Sequence, residues 1–530
     1  MNYNTMEMIK YKDCPGKEMA SMPILIFKRK EVLLVGVGSG TCLRGIYFTV
    51  LSNNATDRFL PIVIQETEYV MGISSSRYDY MKRKIEKSGF KNIVIYISCM
   101  DVLTNEDYFP LKEELEKDPN KRVIVVSRGP LVRNISKSRE ALIEFLESTP
   151  ANYPTETRPR MGYLPPLATE NIQIASLEFV KRGHTIFVSP GGCGKTLLNH
   201  ECIDKNQEGY YTRFSHLDAI FGLEAPLRGK IGEVLDEIQE EPLYLITSPI
   251  PQYIGMDGKS IADERENIIY FGGSGDLAGP LGTWILLNKL TQDPQSYIKN
   301  SKIKRTLVFG WNSMNLPEKD IVIERLKNMC KDRSFIFYTP KSREITEVSD
   351  IWCVSSEGYQ GATTLSEKLN IPLVFGFPLS KSQYRIISDN FGKDKIMFDK
   401  VKFPEDLSDR SFGIIGDPMM SLSISQDLYE RFGMMSKIYI YDPEYRLQKF
   451  YEKIFLNIKI HSITTEDELA GIAQNHKYWI GDPIFKSILD FAQKDVDFLS
   501  APYPLISGRF YKEEKMFNWQ FEWEEKWLDS

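Results

Sequence analysis

The chain has 530 residues, with 66 Lys and Arg against 72 Asp and Glu and a formal net charge of −6, a balance that excludes the basic face of a nucleic-acid binder. Its 42% hydrophobic and 26% charged residues describe a globular protein of three to four domains at about 100–200 residues each. No apolar run reaches the ~18 residues of a membrane span, the start carries no signal-peptide pattern, and seven scattered cysteines do not make a disulfide framework. The expected compartment is cytoplasmic.

In chain order, strands are expected at Glu31–Val37, Ile62–Gln65, Asn92–Ser98 and Arg122–Ser127, with helices at Arg77–Ser88 and Leu111–Lys117. Short β-branched runs alternating with helical stretches imply a parallel sheet covered on both faces. The stretch Ser148–Asn171 carries five prolines and reads as a linker. A second α/β unit runs to about Leu290, and polar residues Thr291–Lys304 suggest another boundary. A third unit has strands at Thr306–Trp311, Ser334–Tyr338 and Ile351–Ser355. A fourth opens at Arg410–Pro418, where Gly-Asp-Pro ends a strand before the helix Ser421–Phe432, and closes in an aromatic tail, FNWQFEWEEKWLDS, expected to dock as an amphipathic helix. The fold class is α/β, several Rossmann-like parallel-sheet domains in series over residues 1–150, 165–290, 303–405 and 406–530, the first of them duplicated.

The duplication rests on three blocks that recur about 150 residues apart. VLLVGVGSGTCLRG (Val32–Gly45) is answered by TIFVSPGGCGKTLL (Thr185–Leu198). TEYVMG (Thr67–Gly72) is answered by LDAIFG (Leu217–Gly222), and KNIVIYISCMDVLTNED (Lys91–Asp107) by EPLYLITSPIPQYIGMD (Glu241–Asp257). Cys42 falls on Cys193, but Cys99 falls on Pro249. Cys42 lies in a glycine-rich turn after a strand and Cys99 ends a strand, so both leave the carboxyl edge of one sheet, where parallel sheets present ligands. Cys14, ahead of the first strand, can fold over the same edge. Three thiolates from separate loops suit an iron–sulfur cluster; small buried core cysteines are the alternative.

The order of these blocks resembles the component 1 family of nitrogenase-type reductases, which includes nitrogenase catalytic subunits, dark-operative protochlorophyllide and chlorophyllide reductases, nickel-sirohydrochlorin reductive cyclase and cofactor-assembly scaffolds. SPGGCG (Ser189–Gly194) resembles the family's Gly-Pro-x-Gly-Cys turn, and GSGTCLRG matches it loosely. LDAIFG resembles an acidic-apolar-apolar-Phe-Gly segment. ISCMDVLTNED keeps the cysteine and aspartate, but not the proline, of a Cys-Pro-x-x-x-x-Gly-Asp loop. SEKLNIPLVFGFPLS (Ser366–Ser380) and DFLSAPYPLISGRF (Asp497–Phe510) resemble later passages. The resemblance implies an oxidoreductase subunit that takes low-potential electrons from an ATP-dependent iron–sulfur reductase. It implies a [4Fe–4S] cluster where two first domains meet, with Cys14, Cys42, Cys99 and Cys193 as metal ligands and Gly40 and Gly192 shaping the cofactor turns. A partner chain completing the site, a homo- or hetero-oligomer, a further metallocofactor and a non-catalytic scaffold role all stay open. No nucleic-acid or membrane partner is expected.

A different reading takes Gly191–Thr196, GGCGKT, as a phosphate cradle after a strand. The full spacing asks for glycine at Ser189, the shorter variant asks for lysine at Pro190, and the other copy has Arg44-Gly45 in place of Lys-Thr. His184, His200, His216, His461 and His476 show no ligand spacing. Cys202, Cys330 and Cys353 read as core, and Asp107 and Asp257 as helix caps.

Overall fold

The computed structural model describes residues 6–14, 22–132, 135–150, 161–167, 174, 184–201, 208–238, 241–272, 280–291, 297–311, 319–338, 346–377, 381–393, 412–443, 447–455, 459–493 and 496–511. Cys202, most of the proline-rich linker and the aromatic tail lie outside them. The chain forms two compact units, Met1–Ser176 with Gly183–Leu277, and Leu177–Arg182 with Ala278–Ser530.

The first unit contains β1 (Glu7–Lys10), β2 (Val32–Gly38), β3 (Phe59–Val63), β4 (Asn92–Ile97), β5 (Arg122–Ser127), β6 (His184–Val188), β7 (Gly209–Arg213), β8 (Leu243–Thr247) and β9 (Ile268–Phe271). One sheet has the order β3-β2-β4-β5, the other β1-β7-β6-β8-β9. Every residue of β2 and β4 is buried, as expected of parallel strands covered on both faces, whose sequences are continuous apolar runs. Without its edge strand the second sheet repeats the order of the first, and both are parallel.

That edge strand corrects the expected boundary at residue 1. β1 pairs antiparallel with β7, Glu7 opposite Arg213, so the N-terminal segment belongs to the second sheet. Tyr11 anchors it: the ring lies where a side chain on Gly209 would stand, and its hydroxyl bonds Thr185 Oγ1 at 3.1 Å. The expected boundary over Thr291–Lys304 is also displaced. The units divide after Leu277, and the helix Pro280–Leu290 belongs to the second.

The second unit carries β10 (Tyr297–Lys299), β11 (Arg305–Phe309), β12 (Ser334–Phe337), β13 (Thr346–Val348), β14 (Asp350–Cys353), β15 (Leu373–Phe375), β16 (Phe412–Ile415), β17 (Ser436–Tyr441), β18 (Ile460–Ile463), β19 (Tyr478–Gly481) and β20 (Asp497–Ser500). They form a β10-β13 pair and two parallel sheets, β12-β11-β14-β15 and β18-β17-β16-β19-β20. Asp417 caps the helix Pro418–Phe432, accepting from Met420 N–H at 3.0 Å. Asp257 likewise caps Gly258–Asp263, and Asp107 accepts from Phe109 N–H at 2.9 Å where the helix Phe109–Glu116 begins.

The two sheets of the first unit share one apolar core, with Leu33, Val35 and Ile95 from one and Ile186, Val188 and Leu245 from the other. Equivalent helices, Gly40–Ser52 after β2 and Gly192–His200 after β6, lie against each other. Thr196 Oγ1 is 2.8 Å from where a Cβ on Gly45 would stand, and the Phe48 and His200 rings stack at 5.3 Å. A wholly buried ion pair joins the two halves: Arg44 Nε and Nη2 donate to Glu201 Oε1 and Oε2 at 2.6 and 3.2 Å, and Arg44 Nη1 to Pro166 O at 3.3 Å. Removing one partner leaves a charge buried without compensation. Glu201→Ala is therefore expected to destabilise the first unit by about 3–5 kcal/mol. Replacing both partners by Met and Leu should cost less, as read from chemical-denaturation midpoints of the two variants.

Candidate functional site

Cys42 and Cys193 occupy the first turns of those two packed helices, each three residues before a contact residue, Gly45 or Thr196. On a helix this spacing returns to the same face. The matched contacts, Cys42 with Cys193, Gly45 with Thr196 and Phe48 with His200, set the helices side by side in one direction. Both positive helix ends therefore meet at the cysteines. The Cys193 thiol hydrogen-bonds Cys42 sulfur, so the structure brings together two residues that are about 150 apart in sequence.

Cys99 joins them from the end of β4. It opens the short helix Cys99–Leu103, which Ser98 and Asp101 cap in a reciprocal box, Ser98 N–H donating to Asp101 Oδ2 at 2.9 Å. Tyr108 hydroxyl holds the other Asp101 oxygen at 2.7 Å. Cys99 interacts electrostatically with Cys42 and Cys193. Its opposite number, Pro249, begins the equivalent helix Pro249–Tyr253.

The loop after β5 completes the arrangement. Gly129, at φ +111°, puts its backbone where a Cβ would stand 2.8 Å from Cys99 Cβ, and Pro130 comes within 3.5 Å of the Cβ position on Gly192. Arg128 acts on all three thiols. Its Nε and Nη2 are buried and have no hydrogen-bond partner among the described residues, while its guanidinium lies 5.3 Å from the Tyr96 ring centre. Sequence reading missed Arg128-Gly129-Pro130, although the expected strand end at Ser127 already placed this triplet on the ligand-bearing edge.

The charge distribution follows from these contacts. The hydrogen bond from Cys193, with Arg128 and Ser39 adding to it, overcomes burial and pulls the Cys42 thiol down to about 6. Cys193, the donor, moves up. Burial first, and then the Cys42 charge, pushes Cys99 up. One thiolate thus faces two thiols and a guanidinium, and helix N-termini and cationic neighbours favour that form.

Cys14 is buried, its Sγ 3.9 Å from the Tyr211 hydroxyl. The Tyr211 ring in turn fills the space a side chain on Gly194 would need. The cradle residues are engaged in packing and local bonds: Ser189 Oγ accepts Gly191 N–H at 3.3 Å, Thr196 Oγ1 donates to Gly192 O at 3.2 Å, and Thr196 packs on Gly45. Gly40 faces Leu167 O, 3.2 Å from its Cβ position.

Solved structures of nitrogenase Cp1 resemble this chain. The one at pH 6.5 matches at 13% identity and a TM-score of 0.45, covering 68% of this chain and 90% of its own. The one at pH 5 matches at 13% and 0.42, covering 68% and 92%. No family model and no curated protein matches the chain. No helix among the described residues is long and apolar enough to cross a membrane.

Among the described residues no three His, Cys, Asp or Glu side chains are gathered around one metal ion. A cluster spreads its ligand sulfurs around a larger core, so the donor set is the more direct test of fit. Three thiols and a guanidinium with two unpaired donors fit a thiolate-bound anionic group at three ligand positions. In metal-free protein, Cys42, the partly exposed member, should alkylate first, with a half-maximal rate near pH 6. Cys193→Ala removes the stabilising donor and should move that midpoint upward toward the ordinary thiol range, as followed by mass spectrometry of iodoacetamide-treated protein.

Proposed function

We propose that the chain is an iron–sulfur oxidoreductase subunit of the nitrogenase component 1 type, taking low-potential electrons from an ATP-dependent reductase. The meeting of Cys42, Cys99 and Cys193 beside the unpaired Arg128 donors is the observation that carries this reading. The resemblance in block order supports it. The equal strand order of the two first-unit sheets supports reading them as copies of one domain, with the cysteine site on their shared edge.

A [4Fe–4S] cluster takes four thiolates. Cys42, Cys99 and Cys193 would supply three, and the fourth would come from Cys14 or from a partner chain. The cluster, when bound, supplies reversible one-electron storage. The chain's own residues fix the ligands and set the charge around them. Arg128 offers N–H donors to an anion, both helix N-termini face it, Gly129 closes the Cys99 side and Pro130 lies against Gly192.

The reductase would dock beside this site. The helix Glu66–Met71 turns Tyr69 inward, where it interacts with Cys42 and Cys99, and exposes Val70 and Met71. The equivalent helix His216–Phe221 exposes Leu217, Ile220 and Phe221. Tyr69 lies 6.2 Å, ring to ring, from Tyr253 of the helix Pro249–Tyr253, and exposed apolar side chains of this kind mark interaction surfaces.

Anaerobically purified protein should contain iron and acid-labile sulfide, and Cys42→Ser and Cys99→Ser should each bleach the visible absorption. Folded protein that stays metal-free after reconstitution would refute the proposal. Met71→Asp with Phe221→Asp should keep the iron and lose reductase-dependent electron uptake. Bound metal that passes to an acceptor, without electron consumption when reductase and ATP are supplied, would assign the scaffold role instead.

A further inference from the structure

The second unit contains a buried acidic centre that the cysteine reading does not use. In each of its two larger sheets the chain leaves the central strand pair in opposite directions. The crevice outside the carboxyl ends therefore lies between β11 and β14 in one sheet and between β16 and β19 in the other. Open parallel sheets take ligands at such points. The loops there are tied together. Ser355 Oγ donates to Gly310 O at 3.0 Å, and Ser356 Oγ accepts Met419 N–H at 2.9 Å from the first turn of the helix Pro418–Phe432. Tyr503, beyond β20, gives its N–H to Asp482 at 2.7 Å and its hydroxyl to Glu357 at 3.0 Å.

Glu357 is 0% and Asp417 3% exposed. Tyr503 and Tyr451 hydroxyls hold Glu357 Oε1, the latter at 3.4 Å, and Met420 N–H holds Asp417 Oδ1. The second oxygens, Glu357 Oε2 and Asp417 Oδ2, are buried without a hydrogen-bond partner among the described residues, as is Ser421 Oγ. The titratable groups acting on the pair and its phenols are Cys353, Asp442, Tyr451 and Tyr503. None is a cation. Burial pushes Glu357 up to about 8, with Asp417 adding to it, and Asp417 up to about 6. Buried carboxyls without a counter-charge are costly to hold ionised.

We propose that a hard divalent cation of the Mg²⁺ and Mn²⁺ class binds between Glu357 and Asp417, at the facing carboxyl ends of β14 and β16. The free donors are oxygens, which select hard cations over soft ones. Two carboxylates, with water completing the shell, suit Mg²⁺, which dehydrates reluctantly and is often held by one or two carboxylates. Ser421 Oγ is a further oxygen donor on the same helix as Asp417.

The test is a Mn²⁺ titration of chelator-treated full-length protein, with bound metal read by electron paramagnetic resonance and unfolding followed thermally. One bound Mn²⁺ per chain, displaced by Mg²⁺ and raising the unfolding midpoint, is expected. Glu357→Gln and Asp417→Asn should each weaken binding by about tenfold or more. Absence of Mn²⁺ binding in the unaltered protein would overturn the proposal, and so would undiminished binding in both variants. It would also fall if saturating Mg²⁺ leaves the infrared carbonyl band of a neutral carboxylic acid that Glu357→Gln removes, because a proton would then be the neutralising partner. Cys42→Ser should leave Mn²⁺ binding intact, so this result stands or falls separately from the cysteine site.

Discussion

The close approach of two helices at Gly45 governs the first unit. A side chain there would collide with Thr196, so the missing Cβ lets the helix Gly40–Ser52 lie directly on Gly192–His200. Everything at the candidate site follows from that contact by helical periodicity. One turn back from Gly45 is Cys42, one turn back from Thr196 is Cys193, and the sulfurs meet. One turn forward, Phe48 stacks on His200. The Arg44–Glu201 pair then fixes the lateral position of the helices, because two charges without access to water are tolerated only in good bidentate geometry. Any residue larger than glycine at position 45 would separate the cysteines as well as the helices.

The two units present opposite electrostatic deficits. In the first, a guanidinium has buried donors and no acceptor, beside one thiolate. In the second, two carboxyls have buried acceptor oxygens with no hydrogen-bond partner among the described residues. A folded chain rarely leaves such groups unmatched, since each unsatisfied buried polar group costs about 1–3 kcal/mol. The atoms concerned, Arg128 Nε and Nη2, Glu357 Oε2 and Asp417 Oδ2, have no hydrogen-bond partner among the described residues. Both deficits sit at the carboxyl ends of parallel strands, where loops rather than the sheet decide what is bound.

Much of the architecture was legible because parallel strands buried on both faces write themselves as apolar runs, as in Val32–Val37 and Asn92–Ile97. The paired blocks, and the glycine turns within them, also put Cys42 and Cys99 on one sheet edge and Cys193 in the matching turn of the second block. The N-terminal strand was not legible, because Glu7–Lys10 is short, mostly half-buried and made of residues with no strand signature; its place is set by Tyr11 fitting over Gly209. Cys14 follows β1, which pairs with β7, and its observed neighbour is the Tyr211 hydroxyl. Arg128 was invisible as a functional residue because a single arginine after a strand has no motif, and only its unpaired, buried donors set it apart. Glu357 and Asp417 were invisible for a related reason: nearly 60 residues separate them, and their relation comes from two sheets turning their switch points toward each other.

The inequality of the two halves of the first unit has a physical meaning of its own. Where the first half ends β4 with Ser98-Cys99, the second ends β8 with Ser248-Pro249, and proline at the first helical position is well suited to starting a helix but offers no donor or ligand. The first half also supplies Arg128 from the loop after β5. Two thiols and the cation therefore come from one side, and a single thiol from the other. A symmetric pair of halves would place like groups opposite like groups, thiolate against thiolate, with repulsion to overcome at the axis. The unequal arrangement instead lets Cys193 remain the donor and Cys42 the acceptor, and Arg128 adds to the lowering of the Cys42 thiol. A site built this way has a fixed polarity before anything binds to it, set first by the contact between Cys193 and Cys42 and reinforced by Arg128.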